Sequence, residues 1–303
     1  MSRIHEALQK AAQERNAQAS NAKSQGSVAA VAVEVDRSVP PTQIAADLPI
    51  QSDLASQSGQ FVSFDDLLRR CACPGWQEDP HSLLSRQRGE SARIAAESFA
   101  RLRSRLSRVA NTRPLRRVLV TSSVSDEGKT FVAANLAQSI VLQPEKRALV
   151  IDADLRSPRA HAMFGAPANP GLANYLRGET DEFGIIQRGA NQSLFFIPCG
   201  HHISNPSESL GSEQMKKLLD FVTSLFDWVI IDSPPTLPVH DASVLADLCD
   251  GVLFVVRAGR TDHETVEKGV SEFRNKNLLG IVLNRVDKAD GYGNYYGYPG
   301  NEE

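Results

Sequence analysis

The stretch Val118-Leu-Val-Thr-Ser-Ser-Val-Ser-Asp-Glu-Gly-Lys-Thr130 constrains the fold of this chain more than any other. Val118 to Val120 reads as a short buried strand, and Phe131 to Ile140 has the apolar spacing of a helix packed on a sheet. The polar loop between them closes on Gly128-Lys129-Thr130. Strand, loop and helix in this order point backbone N–H groups and a helix N-terminus at a polyphosphate. In such a loop Lys129 reaches the β- and γ-phosphates and the Thr130 hydroxyl ligates Mg²⁺. Ser123 stands where the usual G-x-x-x-x-G-K-[ST] pattern has its first glycine, so context carries the reading. The competing reading is a helix start without a ligand.

Around this loop, strands and helices alternate. Arg147-Ala-Leu-Val-Ile-Asp-Ala-Asp-Leu-Arg156 is an apolar strand that ends in two carboxylates and an arginine. Leu194 to Pro198 is a further strand, and Asn205-Pro-Ser-Glu208 starts a helix carrying Met215, Leu218, Leu219, Val222 and Leu225. Trp228-Val-Ile-Ile-Asp232 follows, then Ser233-Pro-Pro235, then buried strands at Gly251–Val256 and Gly280–Asn284. This alternation predicts an α/β fold with a mostly parallel, doubly wound sheet covered on both faces. Ligands of such sheets gather at the carboxyl ends of the strands. Asp154 and Asp232 are therefore expected in Mg²⁺-linked roles, since Mg²⁺ needs only one or two carboxylates beside phosphates. Asp152 is expected in the metal shell or as the base that accepts a hydroxyl proton. Arg156 is placed to meet phosphate, with a structural ion pair as the alternative. Asn284, at a strand end, is a candidate for adenine recognition or for capping.

The remaining chain is less patterned. Its 303 residues suggest about two domains, and 41% apolar content supports a core. No apolar run nears the ~20 residues of a membrane span, the N-terminus lacks the apolar core of a signal peptide, and the four cysteines are scattered as in a reduced compartment. A cytoplasmic protein is the expectation. A short N-terminal helix with Ile4 and Leu8 is predicted, then a disordered linker from about Asn16 to Ser58. Residues 60–85 either fold locally or lie on the main domain. From Arg86 to Arg117 ten arginines face only Glu90 and Glu97, while Ala95, Phe99, Leu102, Leu106 and Val109 form one apolar face of a helix. DNA phosphate, anionic lipid, a neighbouring subunit or plain solvent could each meet the arginines. Tyr292, Tyr295, Tyr296 and Tyr298 lie among glycines in the last twelve residues, a composition that cannot pack a core but can extend into another active site.

Ser122 to Thr130, Leu149 to Arg156 and Val229 to Pro235 together resemble the Walker A, A′ and B signatures of the bacterial tyrosine kinases, autokinases of capsule and exopolysaccharide biosynthesis. Gly171 to Gly178 and Asn205 to Leu210 are similar to that family's sequence between A′ and B. The resemblance covers roughly residues 90–303 and implies a P-loop NTPase fold of the deviant Walker type. It implies ATP and Mg²⁺ as cofactors, with Lys129, Asp152, Asp154 and Asp232 as catalytic residues and Thr130, Asp154 and Asp232 on the metal. Ser125, Asp126, Glu127, Gly128, Lys129, Thr130, Phe131, Arg156 and Asn284 would hold the nucleotide. Transfer would run to the tail tyrosines of a neighbouring subunit in a homo-oligomeric ring. The domains expected are an N-terminal helix and linker to residue 85, a kinase domain over 86–290 and a tyrosine tail over 291–303.

Two departures stand out. The subunit-contact pattern Glu-x-x-Arg-x-x-Arg is matched by Glu97 and Arg103, but Ala100 replaces the middle arginine. The chain also lacks the membrane segments of fused family members and resembles the split form. That form implies a separate membrane-embedded polysaccharide co-polymerase as activator, a tyrosine phosphatase as counterpart, and a location at the inner face of the plasma membrane through the partner. Nucleic acid is not an expected partner. The rival readings are a partitioning or positioning ATPase on DNA or membrane, and a nucleotide-binding scaffold without transfer activity. Against the first, Val124 stands where such ATPases carry a second lysine.

Overall fold

The computed structural model describes residues 30–34, 62–77, 90–189 and 193–286. The expected N-terminal helix and the tyrosine tail lie outside them. The sheet has eight strands: β1 (Ala30–Glu34), β2 (Arg117–Ser122), β3 (Ala148–Asp152), β4 (Gln187–Arg188), β5 (Leu194–Ile197), β6 (Trp228–Asp232), β7 (Gly251–Arg257) and β8 (Leu278–Val286). Their order is β1-β8-β7-β2-β6-β3-β5-β4. The five inner pairings from β8 to β5 are parallel, and only β1 and β4 at the two edges run antiparallel. The expected doubly wound α/β sheet is present.

Side-chain alternation explains why both faces are covered. Val118, Val120, Val150 and Ile230 enter one core with α2 (Glu90–Ala110) and α3 (Lys129–Val141). Leu119, Leu149, Ile151 and Ile231 enter the other, beneath α8 (Glu213–Leu225), α9 (Asp241–Ala246) and α10 (His263–Ser271). Each strand residue points opposite to its neighbours, so a strand that is apolar throughout needs a layer on either side. Phe99, Leu102 and Leu106 of α2 are fully or almost fully buried, as their spacing predicts.

Two expectations are corrected and one open alternative is settled. The linker stretch contains β1, which extends the sheet by pairing with β8. Residues 62–77 pack on the main domain, one of the two readings open for them. In this strap α1 (Phe64–Arg70) starts from a Ser63 capping box and buries Leu67 completely. Phe64 meets the rings of Phe195 and Phe226 at 5.6 and 6.1 Å, and Trp76 meets Phe164 at 5.4 Å. The long helix expected from Asn205 is two helices, α7 (Pro206–Leu210) and α8, because Gly211 ends the first and the Ser212 hydroxyl caps the second by accepting from Met215 N. Three short helices, α4 (Ala160–Phe164), α5 (Leu172–Leu176) and α6 (Glu182–Ile185), fill the connection between β3 and β4.

Candidate active site

The topology brings the three carboxyl-end motifs together. β2 lies between β7 and β6, and β3 lies beside β6. Asp152 and Asp232 are register partners across β3 and β6, so the two carboxylates occupy neighbouring strand ends. Val120, just before the phosphate loop, is the register partner of Asp232 on the other side. Two further backbone bonds, Thr236 N to Ser122 O at 2.8 Å and Leu237 N to Ser123 O at 3.2 Å, fasten the segment after Ser233-Pro-Pro235 to the loop.

The loop is braced from below and from the side. Gly128 is left-handed at φ 96°, and a Cβ there would stand 2.0 Å from Asn284 Nδ2, so only glycine fits. That same Nδ2 donates to the Glu127 carbonyl at 2.9 Å, and Asn284 Oδ1 accepts from Arg285 N. Asn284 is thus a buried clamp on the loop, a third role beside the adenine contact and cap considered for it. The Glu127 carboxylate is turned inward, accepting from Val124 N at 2.9 Å, Thr261 Oγ1 at 2.8 Å and Arg257 N at 3.3 Å. Its side chain holds the loop's shape instead of facing a ligand. Ser125 and Asp126 lie exposed on the rim, with Asp126 paired to Arg159 at 3.4 Å. Phe131 turns its ring toward Phe99 of α2 at 5.9 Å, which leaves its backbone alone for the nucleotide side.

Ser123 explains how the loop works without its usual first glycine. Its hydroxyl lies 2.7 Å from where a Cβ on Gly269 of α10 would stand, next to Phe254. The side chain therefore occupies the space beneath α10 that a bare glycine there provides.

The acidic side is built differently. Asp152 is fully buried, and its two oxygens accept from Asp154 N at 3.3 Å and Ala160 N at 3.1 Å. Asp154 accepts from Arg156 N and Ser157 N through Oδ1. Asp232 is buried, and beyond the neighbouring Thr130 hydroxyl its oxygens have no hydrogen-bond partner among the described residues. Burial pushes the Asp152 carboxyl well above the usual carboxylate range, with the charge of Asp232 adding to the rise. Burial also raises Asp232, while the Thr130 hydroxyl and the Lys129 ammonium pull it down. The buried Cys199 thiol nearby is pushed up to about 12 by burial, then by Asp152 and Asp154. A buried carboxylate with so few hydrogen-bond partners is costly unless a cation completes it. Among the described residues no group of three or more His, Cys, Asp or Glu could hold a metal unaided. That suits Mg²⁺, which takes one or two carboxylates and draws its other ligands from phosphate and water. Lys129, at the first turn of α3 and only 8% exposed, brings the positive charge.

Arg156 makes the ion pair that was its alternative reading. Its guanidinium is bidentate on the fully buried Asp241, at 2.8 and 3.1 Å, and so ties the A′ turn to α9. The sequence reading missed Asp241, Thr261 and the backbone of Arg257. Nothing in their local sequence marks them, since each acts through a partner far along the chain.

Residues 118–296 match the family model of the CobQ/CobB/MinD/ParA nucleotide binding domain. The chain is 32% identical over 216 residues to tyrosine-protein kinase YwqD of Bacillus subtilis, covering 70% of this chain and 90% of that protein. It is 32% identical to the succinoglycan biosynthesis transport protein ExoP of Rhizobium meliloti, covering 69% of this chain but 27% of that longer protein. The solved kinase domain of the Escherichia coli tyrosine kinase ETK superposes with a TM-score of 0.61 at 31% identity, over 69% of this chain and 82% of that one. The chain therefore belongs to the CobQ/CobB/MinD/ParA nucleotide-binding family, on its bacterial tyrosine-kinase branch.

Proposed function

We propose that this protein is an ATP-dependent protein-tyrosine autokinase that phosphorylates its own C-terminal tyrosines between subunits and thereby regulates exopolysaccharide or capsule polymerisation and export. The observation that carries the reading is Asp232, buried with few hydrogen-bond partners beside Lys129 and Thr130 and paired in register with Asp152. A site that needs a cation and phosphate to be complete, at the end of a phosphate loop, suits phosphoryl transfer. Positioning and charge neutralisation dominate that chemistry.

The residues divide the work. Backbone N–H groups of the loop and Lys129 hold the β- and γ-phosphates of ATP. Thr130, Asp154 and Asp232 would hold Mg²⁺, which supplies charge neutralisation on the phosphates. The acceptor tyrosine oxygen attacks the γ-phosphorus in line, the bond from that phosphorus to the β,γ-bridging oxygen breaks, and ADP leaves. A solvated tyrosine hydroxyl ionises only near pH ~10, so its proton must pass to a base. Asp152 or Asp154 would take it: Asp152 stands outside the proposed metal set although both its oxygens accept backbone bonds, and the backbone bonds of Asp154 fall on Oδ1.

The acceptors are Tyr292, Tyr295, Tyr296 and Tyr298. The relatives' names place them in tyrosine-kinase and polysaccharide systems, which supports a membrane co-polymerase as activator and a phosphatase as counterpart. No helix among the described residues is long and apolar enough to cross a membrane, consistent with docking through such a partner. Assembly is a homo-oligomeric ring. Arg101, Arg105 and Arg108 are exposed on α2, whereas Arg103 donates to the Ser139 carbonyl within the subunit. Four phosphotyrosines add roughly six to eight negative charges, and analytical ultracentrifugation should show the assembly loosening once they form. An unchanged size on phosphorylation would end that switch.

The test is autophosphorylation with ATP and Mg²⁺, read by phosphotyrosine mass spectrometry, with Lys129→Met and a variant carrying Phe at the four tail positions as controls. Tail phosphotyrosine that vanishes in Lys129→Met supports the kinase. No signal, even with the activator's cytoplasmic segment added, would move the reading to an ATPase or a scaffold.

A further inference from the structure

Three arginines meet at the corner of the sheet next to the phosphate loop. Arg257 closes β7, Arg285 lies one residue before the end of β8, and Arg260 sits in the turn that leads to α10. The backbone fixes the group: Arg257 is the register partner of Asn284, Ala258 N donates to Asn284 O at 2.9 Å, and Arg260 N donates to Arg257 O at 3.4 Å. Arg285 is held at φ 55°, a left-handed conformation rare for an arginine.

The three guanidiniums repel one another. After burial, the charges of Arg285 and Arg260 push the Arg257 pKa down, and Asp126 is the carboxylate that opposes them. Asp126 is itself paired with Arg159, and Arg156 with Asp241, so the ion pairs at this end of the sheet leave the cluster out. Nor do these side chains brace the loop. Its contacts here are made by the Arg257 backbone N–H, the Thr261 hydroxyl and Asn284. Like charges gathered beside a loop, with no ion pair of their own among the described residues, suit an anionic partner.

We propose that Arg257, Arg260 and Arg285 form a phosphotyrosine-binding site for the protein's own phosphorylated tail. A guanidinium fork matches a phosphomonoester dianion bidentately, and arginine clusters are the common solution for reading phosphorylated peptides. Reach favours this occupant: Tyr292 lies seven residues after Arg285, a span of at most about 25 Å of extended chain. Unmodified, the chain after Arg285 offers Asp287, Asp290 and the final Glu302 and Glu303 as acidic side chains, and none between Tyr292 and Tyr298. Phosphorylation therefore creates the charge that the cluster lacks. The product tail would rest at the β7–β8 corner, away from the carboxylates of the acidic pocket. This rests on the tail tyrosines being the acceptors.

The test uses synthetic peptides of residues 288–303, with and without phosphate on the four tyrosines, titrated onto the full chain by fluorescence anisotropy. The phosphopeptide should bind at least about tenfold more tightly than the plain peptide, since several charge-assisted contacts form. The double variant Arg260→Gln, Arg285→Asn should lose that preference while keeping its affinity for a fluorescent ATP analogue. Equal binding of the two peptides, or a phosphopeptide affinity untouched by the double variant, overturns the site. Parallel loss of ATP affinity also overturns it, because the cluster would then belong to the nucleotide. The peptides are made chemically, so the outcome does not depend on kinase activity. A failed autophosphorylation assay beside a positive titration would sink the kinase reading and leave the site standing.

Discussion

The two halves of the active site are built by opposite means. The phosphate-loop half is complete as folded: Glu127 has three donors, Asn284 clamps the loop's carbonyl, and Gly128 lies tight against that clamp. The acidic half is incomplete, with Asp232 buried among few hydrogen-bond partners and Asp152 beside it. One half is rigid because its polar groups are satisfied, and the other is reactive because they are not. The difference assigns distinct roles: the loop supplies shape, and the carboxylates supply an affinity for cation and phosphate that folding alone leaves unmet.

Replacing Asp232 by Asn should separate the two halves most sharply. Phosphotransfer should fall by on the order of a thousandfold, while the nucleotide-free protein should melt a few degrees higher because the burial cost of the carboxylate, which outweighs the pull of Lys129 and Thr130, is gone. A variant that melts lower would place the strain elsewhere. The same pocket sets the pH dependence. Asp152 and Asp232 have raised native pKa values, so the native state keeps protons that the unfolded chain, titrating near ~4, has released. Between those values their contribution to stability falls as pH rises. Without nucleotide, melting temperature should climb as pH is lowered through the neutral region, and Asp232→Asn should flatten the slope. Identical slopes would break the contrast.

The complete half should respond through its braces. Asn284→Ala removes the donor to Glu127 O, and a lost buried hydrogen bond costs about 1–3 kcal/mol. Nucleotide affinity should drop roughly tenfold or more, read by titration with a fluorescent ATP analogue, and unchanged affinity would mean the loop holds itself. The smallest effect concerns Ser123. Gly269→Ala should lower the melting temperature by a few degrees through crowding of about 1–3 kcal/mol, and adding Ser123→Gly should restore part of it. No rescue would assign the crowding to Phe254 alone, whose ring carbon lies 2.9 Å from the added Cβ.

The region before residue 90 offers a second contrast with the core. The β–α alternation from β2 to β8 was legible because its strands are apolar throughout and its helices carry a stripe, signals confined to a few neighbouring residues. The strap at 62–77 was not. Its Phe64 and Trp76 gain burial against partners such as Phe195, Phe226, Phe164 and Phe196, more than 80 positions away. β1 is five residues long and becomes a strand by completing the edge of β8, so its own composition gives little sign of it.

By itself the sequence determined the phosphate loop, the parallel sheet and the strand-end carboxylates. Each follows from local periodicity and from the rule that ligands meet the carboxyl ends of parallel strands. The tertiary structure decided what each polar group does. It sent Arg156 to Asp241, made Asn284 a clamp 157 positions from the loop it holds, turned Glu127 inward and left Asp232 with few hydrogen-bond partners. Hydrogen-bond partnership is settled by which chain segments pack together, and that information is spread over the whole fold.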